Sequence, residues 1–234
     1  MLIESMRNHD LRLAMLPYSS ALKVVRMYID TIEEELFANR RSSPIEHVKI
    51  RLKRPSSIAR KLEKRGLEAT VDNAVQYIDD IAGVRIVCLF RDDIYKIADV
   101  IKNIANIRIV RIKDYIKEPK ANGYRSYHMH IEIPVRMLDG EQMVKVEIQL
   151  RTVAMDFWAS VEHKIRYKKE PEIPDKISTD LIKCANLIEK IDSKMQKLNK
   201  KIMRLEEGGT ATADAAESYD EEDDIFKGIN AERT

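Results

Sequence analysis

Glycine and proline are scarce in this chain of 234 residues, with seven of each. Together they make up about 6% of the chain, roughly half the ~12% typical of globular proteins. That shortage excludes collagen-like, low-complexity and loop-dominated architectures. Cysteine is scarcer: Cys88 and Cys184 lie far apart, each in an apolar pattern. Two buried thiols are expected rather than a disulfide or a thiolate metal site. No apolar run approaches the ~18 residues that read as a membrane span. The segment Met1 to Asp10 lacks the apolar core of an export signal. A soluble, cytoplasmic protein with no membrane partner is therefore expected. Neither G-x-x-x-x-G-K-[ST] nor G-x-G-x-x-G occurs, so the common phosphate-cradling loops are excluded.

Net charge is also nearly absent, at +2, but that balance hides a segregation. Between His47 and Glu68 stand Lys49, Arg51, Lys53, Arg54, Arg60, Lys61, Lys64 and Arg65, against only Glu63 and Glu68. Between Glu206 and Asp224 the sequence has Glu206, Glu207, Asp214, Glu217, Asp220, Glu221, Glu222, Asp223 and Asp224, and no base. The body of the chain is thus basic, which suits a polyanionic partner. The small, polar, acidic segment 208–234 reads as a disordered tail. It is either a solvated appendage or an electrostatic competitor for the basic site.

At ~100–200 residues per domain, the length fits one domain with a sizeable appendage. The spacing of Leu22, Val25, Ile29, Ile32 and Leu36 predicts an amphipathic helix from Ser20 to Asn39. A strand is expected over Ile45 to Arg54. A short helix should follow from Pro55 and close at Gly66. Asp72 is expected to cap a helix running to Asp80. Val84 to Phe90 reads as a buried central strand, and Asp92 or Asp93 should cap the helix after it. Ile107 to Lys113 reads as a strand, and Asp114 to Arg125 as a loop. Ser126 to Pro134 and Met143 to Arg151 form a hairpin around Asp139-Gly140. Thr152 to Lys168 reads as a helix. Finally, Ile177, Leu181, Cys184, Ile188, Ile191, Met195, Leu198, Ile202 and Leu205 form a heptad seam. That helix either lies along its own domain or pairs with a partner helix, most simply from another copy. The order defines an α+β (mixed α/β) domain with N- and C-terminal helical extensions.

Four constellations carry chemistry. Arg51 and Lys53 share a strand face, and Ser57, Lys61 and Lys64 share the face of the next helix. These cations can converge beside a helix N-terminus, a geometry suited to a triphosphate. In Asp80-Ile81-Ala82-Gly83-Val84-Arg85 an acid precedes a charged residue in an apolar strand. The two either form a structural pair, or Asp80 meets a magnesium ion while Arg85 meets phosphate. The loop from Lys113 to Tyr124 interleaves cations with tyrosines able to stack on a base. Ser126, His128, His130 and Glu132 then share one strand face. Lys145, Glu147, Gln149 and Arg151 form a polar row that would floor a site. Asp156 and His163 share a face of the helix that follows, where Met155 and Trp158 read as core.

Taken in order, these blocks resemble the RelA/SpoT-type alarmone synthetases. The carriers are Asp80-x-x-Gly83-x-Arg85, Lys120-x-Asn122-Gly123-Tyr124-x-Ser126-x-His128, Glu147-x-Gln149-x-Arg151-Thr152 and Met155-x-x-Trp158-Ala159-x-x-Glu162-His163. The resemblance covers about Glu46 to Lys169. The chain has room for neither a hydrolase domain nor regulatory domains, so it resembles the small stand-alone RelP and RelQ type. That resemblance implies a nucleotidyltransferase-like central mixed sheet flanked by helices. It implies transfer of the β,γ-pyrophosphate of ATP to the 3′-hydroxyl of GTP or GDP, with AMP as by-product. Asp80 and Glu147 would be the catalytic residues and magnesium neighbours, Glu147 alternatively serving as general base. Arg51, Lys53, Lys61, Lys64 and Arg85 would hold ATP. Tyr124 would stack on guanine, Lys120 and His128 would meet the acceptor's phosphates, and Asp156 would read the guanine edge, with Lys113 also on the acceptor side. Asp156 stands where many relatives carry Asn, and Lys64 where they often carry Arg. A homotetramer is implied as well, with terminal helices at the contacts. No motif indicates nucleic-acid binding. The implied organisation is a helical region 1–44, a catalytic domain 45–170, an oligomerisation helix 171–207 and the tail 208–234.

Overall fold

The computed structural model describes residues 9–40, 43–167 and 174–207. The expectation for the acidic tail lies outside the described residues. Helix α1 (His9–Arg40) leads into β1 (Ile45–Leu52), α2 (Pro55–Glu63), α3 (Val71–Tyr77), β2 (Ala82–Cys88) and α4 (Arg91–Lys102). Then come β3 (Arg108–Asp114), β4 (Tyr127–Met137), β5 (Gly140–Thr152), α5 (Val153–Tyr167) and α6 (Asp175–Glu207). The strands form one sheet in the order β1-β2-β5-β4-β3. Only the β2–β5 pair is parallel, so the sheet is mixed.

Alternation along the strands separates the two faces of this sheet. Val84 and Ile86 of β2, Met129, Ile131 and Ile133 of β4, and Val146, Ile148 and Leu150 of β5 are fully buried. They pack with Leu22, Val25 and Ile29 of α1 and with Ile94, Ile97 and Ile101 of α4. Arg85, His128, His130, Glu147 and Gln149 occupy the alternate positions and turn to the other face. The tight hairpin at Asp139-Gly140, where Gly140 takes φ 134°, sets the β4–β5 register and aligns His128 with Gln149 and His130 with Glu147.

Several boundaries differ from expectation for identifiable reasons. Helix α1 starts at His9 rather than Ser20 and contains Pro17. Burial of Tyr18, Ala21 and Leu22 outweighs the hydrogen bond that the proline removes. The cap of α3 is Thr70, whose hydroxyl accepts the Asn73 amide at 3.2 Å, not Asp72. Helix α3 ends at Tyr77, which leaves Asp80 in the turn before β2. Neither Asp92 nor Asp93 caps α4; Phe90 is the N-cap residue, and the Asp92 amide donates to Gln196 Oε1 of α6 at 3.2 Å.

The heptad seam of α6 is divided. Leu181 and Ala185 pack with Trp158 and Ala159 of α5, and Trp158 Nε1 donates to the Leu181 carbonyl at 3.0 Å. Farther along, Ile191, Met195, Leu198, Ile202 and Leu205 are exposed. Cys184 is exposed too, which corrects the expectation of two buried thiols. Ala185 and Leu181 occupy the inward positions of that turn. Cys88 is buried, and burial pushes its thiol well above the ordinary range.

Candidate active site

The polar side of the sheet opens into a cavity of about 320 Å³. It is lined by Lys49 and Arg51 of β1, Asp80, Gly83 and Arg85 around the start of β2, and Glu147 and Gln149 of β5. The pairing register explains this grouping. Arg51 lies opposite Gly83, Gly83 opposite Glu147, Lys49 opposite Arg85 and Arg85 opposite Gln149. Two strands on either side of β2 thus bring cations and a carboxylate to one place. The amide of Lys53 donates to the Ile81 carbonyl at 2.8 Å, which fastens the turn carrying Asp80 to the end of β1.

Asp80 receives two ammonium groups, Lys53 Nζ on Oδ2 at 2.7 Å and Lys61 Nζ on Oδ1 at 2.8 Å. Burial alone would raise its pKa, but the two lysine hydrogen bonds prevail and hold it below the usual carboxylate range. Glu147 is governed the same way. Burial pushes its pKa up, while hydrogen bonds from His128 at 3.1 Å and Gln149 at 2.9 Å pull it below the ordinary value. Both carboxylates are therefore ionised at neutral pH. His130 sits 3.8 Å from Glu147, and its pKa is lowered, chiefly by burial.

The residues expected on the acceptor side form an adjoining cluster. Gly123 takes φ 87°, a left-handed turn that suits glycine. The next residue, Tyr124, places its ring under Lys120 at 4.9 Å and its hydroxyl 2.8 Å from His128 Nε2. Lys120 also lies over Tyr115 at 4.6 Å. Lys113 is the β3 register partner of His128. Asp156 is 6% exposed and is held by Arg151 at 3.0 Å and Arg85 at 3.1 Å.

The structure thus gathers Arg51, Asp80, Arg85 and Glu147 around one cavity and attaches Lys53 and Lys61 to it through Asp80. Tyr124 and His128 join through Glu147. Both ring nitrogens of His128 are engaged, by Tyr124 and Glu147. Asp156 meets arginines and does not line the cavity. Lys64 is not brought in; it is the exposed C-cap of α2. Lys49 and His130 belong to the site without having been assigned a role, and Gln149 and Arg151 join it from the polar row expected to floor it. Strand alternation was the signal, since each shares a face with a residue that was assigned one.

A cation-lined cleft on a mixed sheet, with two ionised carboxylates and an adjoining cluster of lysine and tyrosine, defines a protein that handles nucleoside polyphosphates. The chain belongs to the RelA/SpoT family: residues 50–172 match the family model described as the region found in RelA/SpoT proteins. It is 42% identical over 193 residues to GTP pyrophosphokinase YwaC of Bacillus subtilis, covering 82% of this chain and 92% of that one. Among solved structures it resembles the B. subtilis small alarmone synthetase 1 bound to its product pppGpp. The TM-score is 0.77 at 32% identity, over 83% of this chain and 99% of that chain. The same synthetase bound to AMPCPP matches with TM-score 0.73 at 29% identity, over 84% and 100% of the two chains.

Proposed function

We propose that this chain is a GTP pyrophosphokinase that makes pppGpp or ppGpp from ATP and GTP or GDP, releasing AMP. The observation that carries the reading is the shared cleft of Asp80 and Glu147, which lie in separate sequence blocks but line one cavity with Arg51 and Arg85. A protein that only bound a polyanion would gain nothing from paired carboxylates there. The named activity of YwaC and the pppGpp and AMPCPP complexes support the same substrates.

In the reaction the 3′-hydroxyl oxygen of the acceptor attacks the β-phosphorus of ATP. The bond from that phosphorus to the α–β bridging oxygen breaks, AMP leaves with the bond's electrons, and the 3′-hydroxyl proton passes to Glu147 or to water. Arg51, Arg85, Lys53 and Lys61 neutralise the crowded phosphates, which is the main demand of phosphoryl transfer. Asp80 and Glu147 fit a magnesium ion: both are ionised carboxylates on one cavity wall, and each oxygen keeps accepting capacity beyond its present hydrogen bonds. Magnesium, when bound, would supply charge neutralisation on the transferred phosphates. Glu147 would serve as the second magnesium neighbour or as the base that takes the 3′-hydroxyl proton. Tyr124 offers the acceptor base a ring to stack on.

The chain works in the cytoplasm as a homotetramer in this reading. The exposed row of Ile191, Met195, Leu198, Ile202 and Leu205 supports self-association, and no helix among the described residues is long and apolar enough to cross a membrane. The deciding experiment is incubation with ATP, GTP and magnesium, followed by separation of the nucleotides. Equal amounts of AMP and a guanosine pentaphosphate are expected; release of free pyrophosphate, or no new nucleotide, would refute the reading.

A further inference from the structure

Five side chains of the site close into one hydrogen-bonded circuit. Arg151, 4% exposed at the end of β5, donates from Nη2 to the Tyr124 hydroxyl at 2.6 Å and to Gln149 Oε1 at 3.1 Å. The Tyr124 hydroxyl meets His128 Nε2 at 2.8 Å, and His128 Nδ1 meets Glu147 Oε1 at 3.1 Å. Gln149 Nε2 donates to Glu147 Oε2 at 2.9 Å. The ring therefore runs from one guanidinium nitrogen to one carboxylate along two arms.

Two of these directions follow from which groups can donate: Arg151 only donates, so the Tyr124 oxygen accepts from it, and the Glu147 carboxylate only accepts, so His128 presents a proton on Nδ1. With a neutral imidazole, the Tyr124 hydroxyl then spends its proton on His128 Nε2. The Gln149 carbonyl accepts from Arg151, so its amide donates to the other oxygen of Glu147. Every donor along both arms points from the cation towards the anion, an arrangement in which successive bonds polarise one another. The remaining Arg151 nitrogens are held by Asp156 at 3.0 Å and Ser126 at 3.4 Å, so the guanidinium cannot swing. Its carbon also lies 5.1 Å from the Tyr124 ring centroid.

We infer that Arg151 is a positioning residue that locks the acceptor-stacking ring of Tyr124 and the carboxylate of Glu147 into one unit, with His128 and Gln149 as the two links. The placement of Glu147 then depends on the Tyr124 hydroxyl and not only on the strand that bears it. This inference rests on the synthetase reading, in which Tyr124 faces the acceptor and Glu147 the transferred phosphates. A planar fork is needed at position 151, because a lysine has the charge but cannot serve four acceptors in one plane.

The test uses Tyr124→Phe, Arg151→Lys and the double variant in the full chain, with thermal melts establishing that each is folded. Tyr124→Phe keeps the stacking ring and loses only the link. Its kcat should fall about tenfold, the cost expected for one hydrogen bond in a charged network, with KM for ATP unchanged and equilibrium GTP binding within about threefold. The double variant should be no slower than Arg151→Lys alone, because both substitutions cut the same arm. A second readout is independent of turnover. In protein with ¹⁵N-labelled histidine, His128, assigned by the loss of its signals in His128→Gln, should be the Nδ1-protonated tautomer and should lose that uniform state in Tyr124→Phe. Wild-type kcat in Tyr124→Phe, effects of the two substitutions that multiply, or a His128 protonated on Nε2 would each overturn the inference. A wild-type chain that makes no alarmone yet has the Nδ1 tautomer would sink the synthetase reading and leave the circuit standing.

Discussion

Gly123 offers the sharpest test of how the acceptor loop is held. Its backbone takes φ 87°, and a Cβ built on it would lie 2.6 Å from the Ala185 Cβ on α6. Ordinary carbon contacts sit at about 3.5–4.0 Å, so Gly123→Ala demands a retreat of roughly 1 Å by the loop or the helix. The helix cannot give easily at that turn, because Trp158 Nε1 is bonded to the Leu181 carbonyl one turn earlier. The left-handed backbone costs an alanine about 1 kcal/mol, and overpacking adds about 1–3 kcal/mol. A total of about 2–4 kcal/mol corresponds to a melting temperature lower by roughly 4–16 °C for a domain of this size. Because Tyr124 is the next residue, KM for GTP should rise while KM for ATP stays put. Ala185→Gly supplies the control. Alone it costs about 1 kcal/mol of helix propensity, but combined with Gly123→Ala it removes the colliding atom. The two changes should therefore compensate by about 1–3 kcal/mol in a double-mutant cycle read by chemical denaturation. Strict additivity, or a Gly123→Ala protein as stable as wild type, would refute the packing argument.

Glu147→Gln should abolish turnover, by at least about a hundredfold in kcat, while ATP binding measured by calorimetry stays within a few-fold. Retained turnover would remove Glu147 from the mechanism. Asp80 titrates below its unfolded value, so its contribution to stability is present above about pH 4 and is lost as pH falls through the lower folded pKa. Asp80→Asn should therefore be less stable than wild type at pH 7, with the gap narrowing below about pH 4 in denaturant titrations; a constant gap would contradict that sign. Replacing Leu198 and Ile202 by Glu places two charges on the exposed row of α6, where Leu198 is 46% and Ile202 54% exposed. Light scattering should then show smaller particles than wild type, with the secondary structure by circular dichroism unchanged.

Much of the fold could be read from periodicity alone. The alternation of Val144, Val146, Ile148 and Leu150 against Lys145, Glu147, Gln149 and Arg151 already assigned one strand to both core and cleft. The scarcity of glycine made Gly66, Gly123 and Gly140 informative, and all three adopt positive φ. What escaped was set by tertiary contact. The spacing from Leu22 to Leu36 showed only part of α1, which burial of Tyr18, Ala21 and Leu22 carries back through Pro17. The N-terminus of α4 is served by Gln196, a residue more than a hundred positions away, which no local capping pattern could announce. The seam of α6 was legible as a repeat, but its division into a packed first half and an exposed second half depends on where α5 ends beneath it.

The site shows the same split between pattern and register. Spacing could place His128 and His130 on one face and Glu147, Gln149 and Arg151 on another strand's face, but not how those rows meet. The β4–β5 register decides it: His128 opposes Gln149 and His130 opposes Glu147. A slip of one residue in that hairpin would turn one strand's polar row to the apolar face. The Asp139-Gly140 turn thus determines whether His128 and Gln149 can reach opposite oxygens of the same carboxylate. The resemblance gives Asp156 the guanine edge; in the structure its Oδ1 meets both Arg85 and Arg151. Asp156 is 6% exposed, and a buried acidic side chain is expected beside cationic partners. Through Arg151 that carboxylate is connected to the Tyr124 hydroxyl.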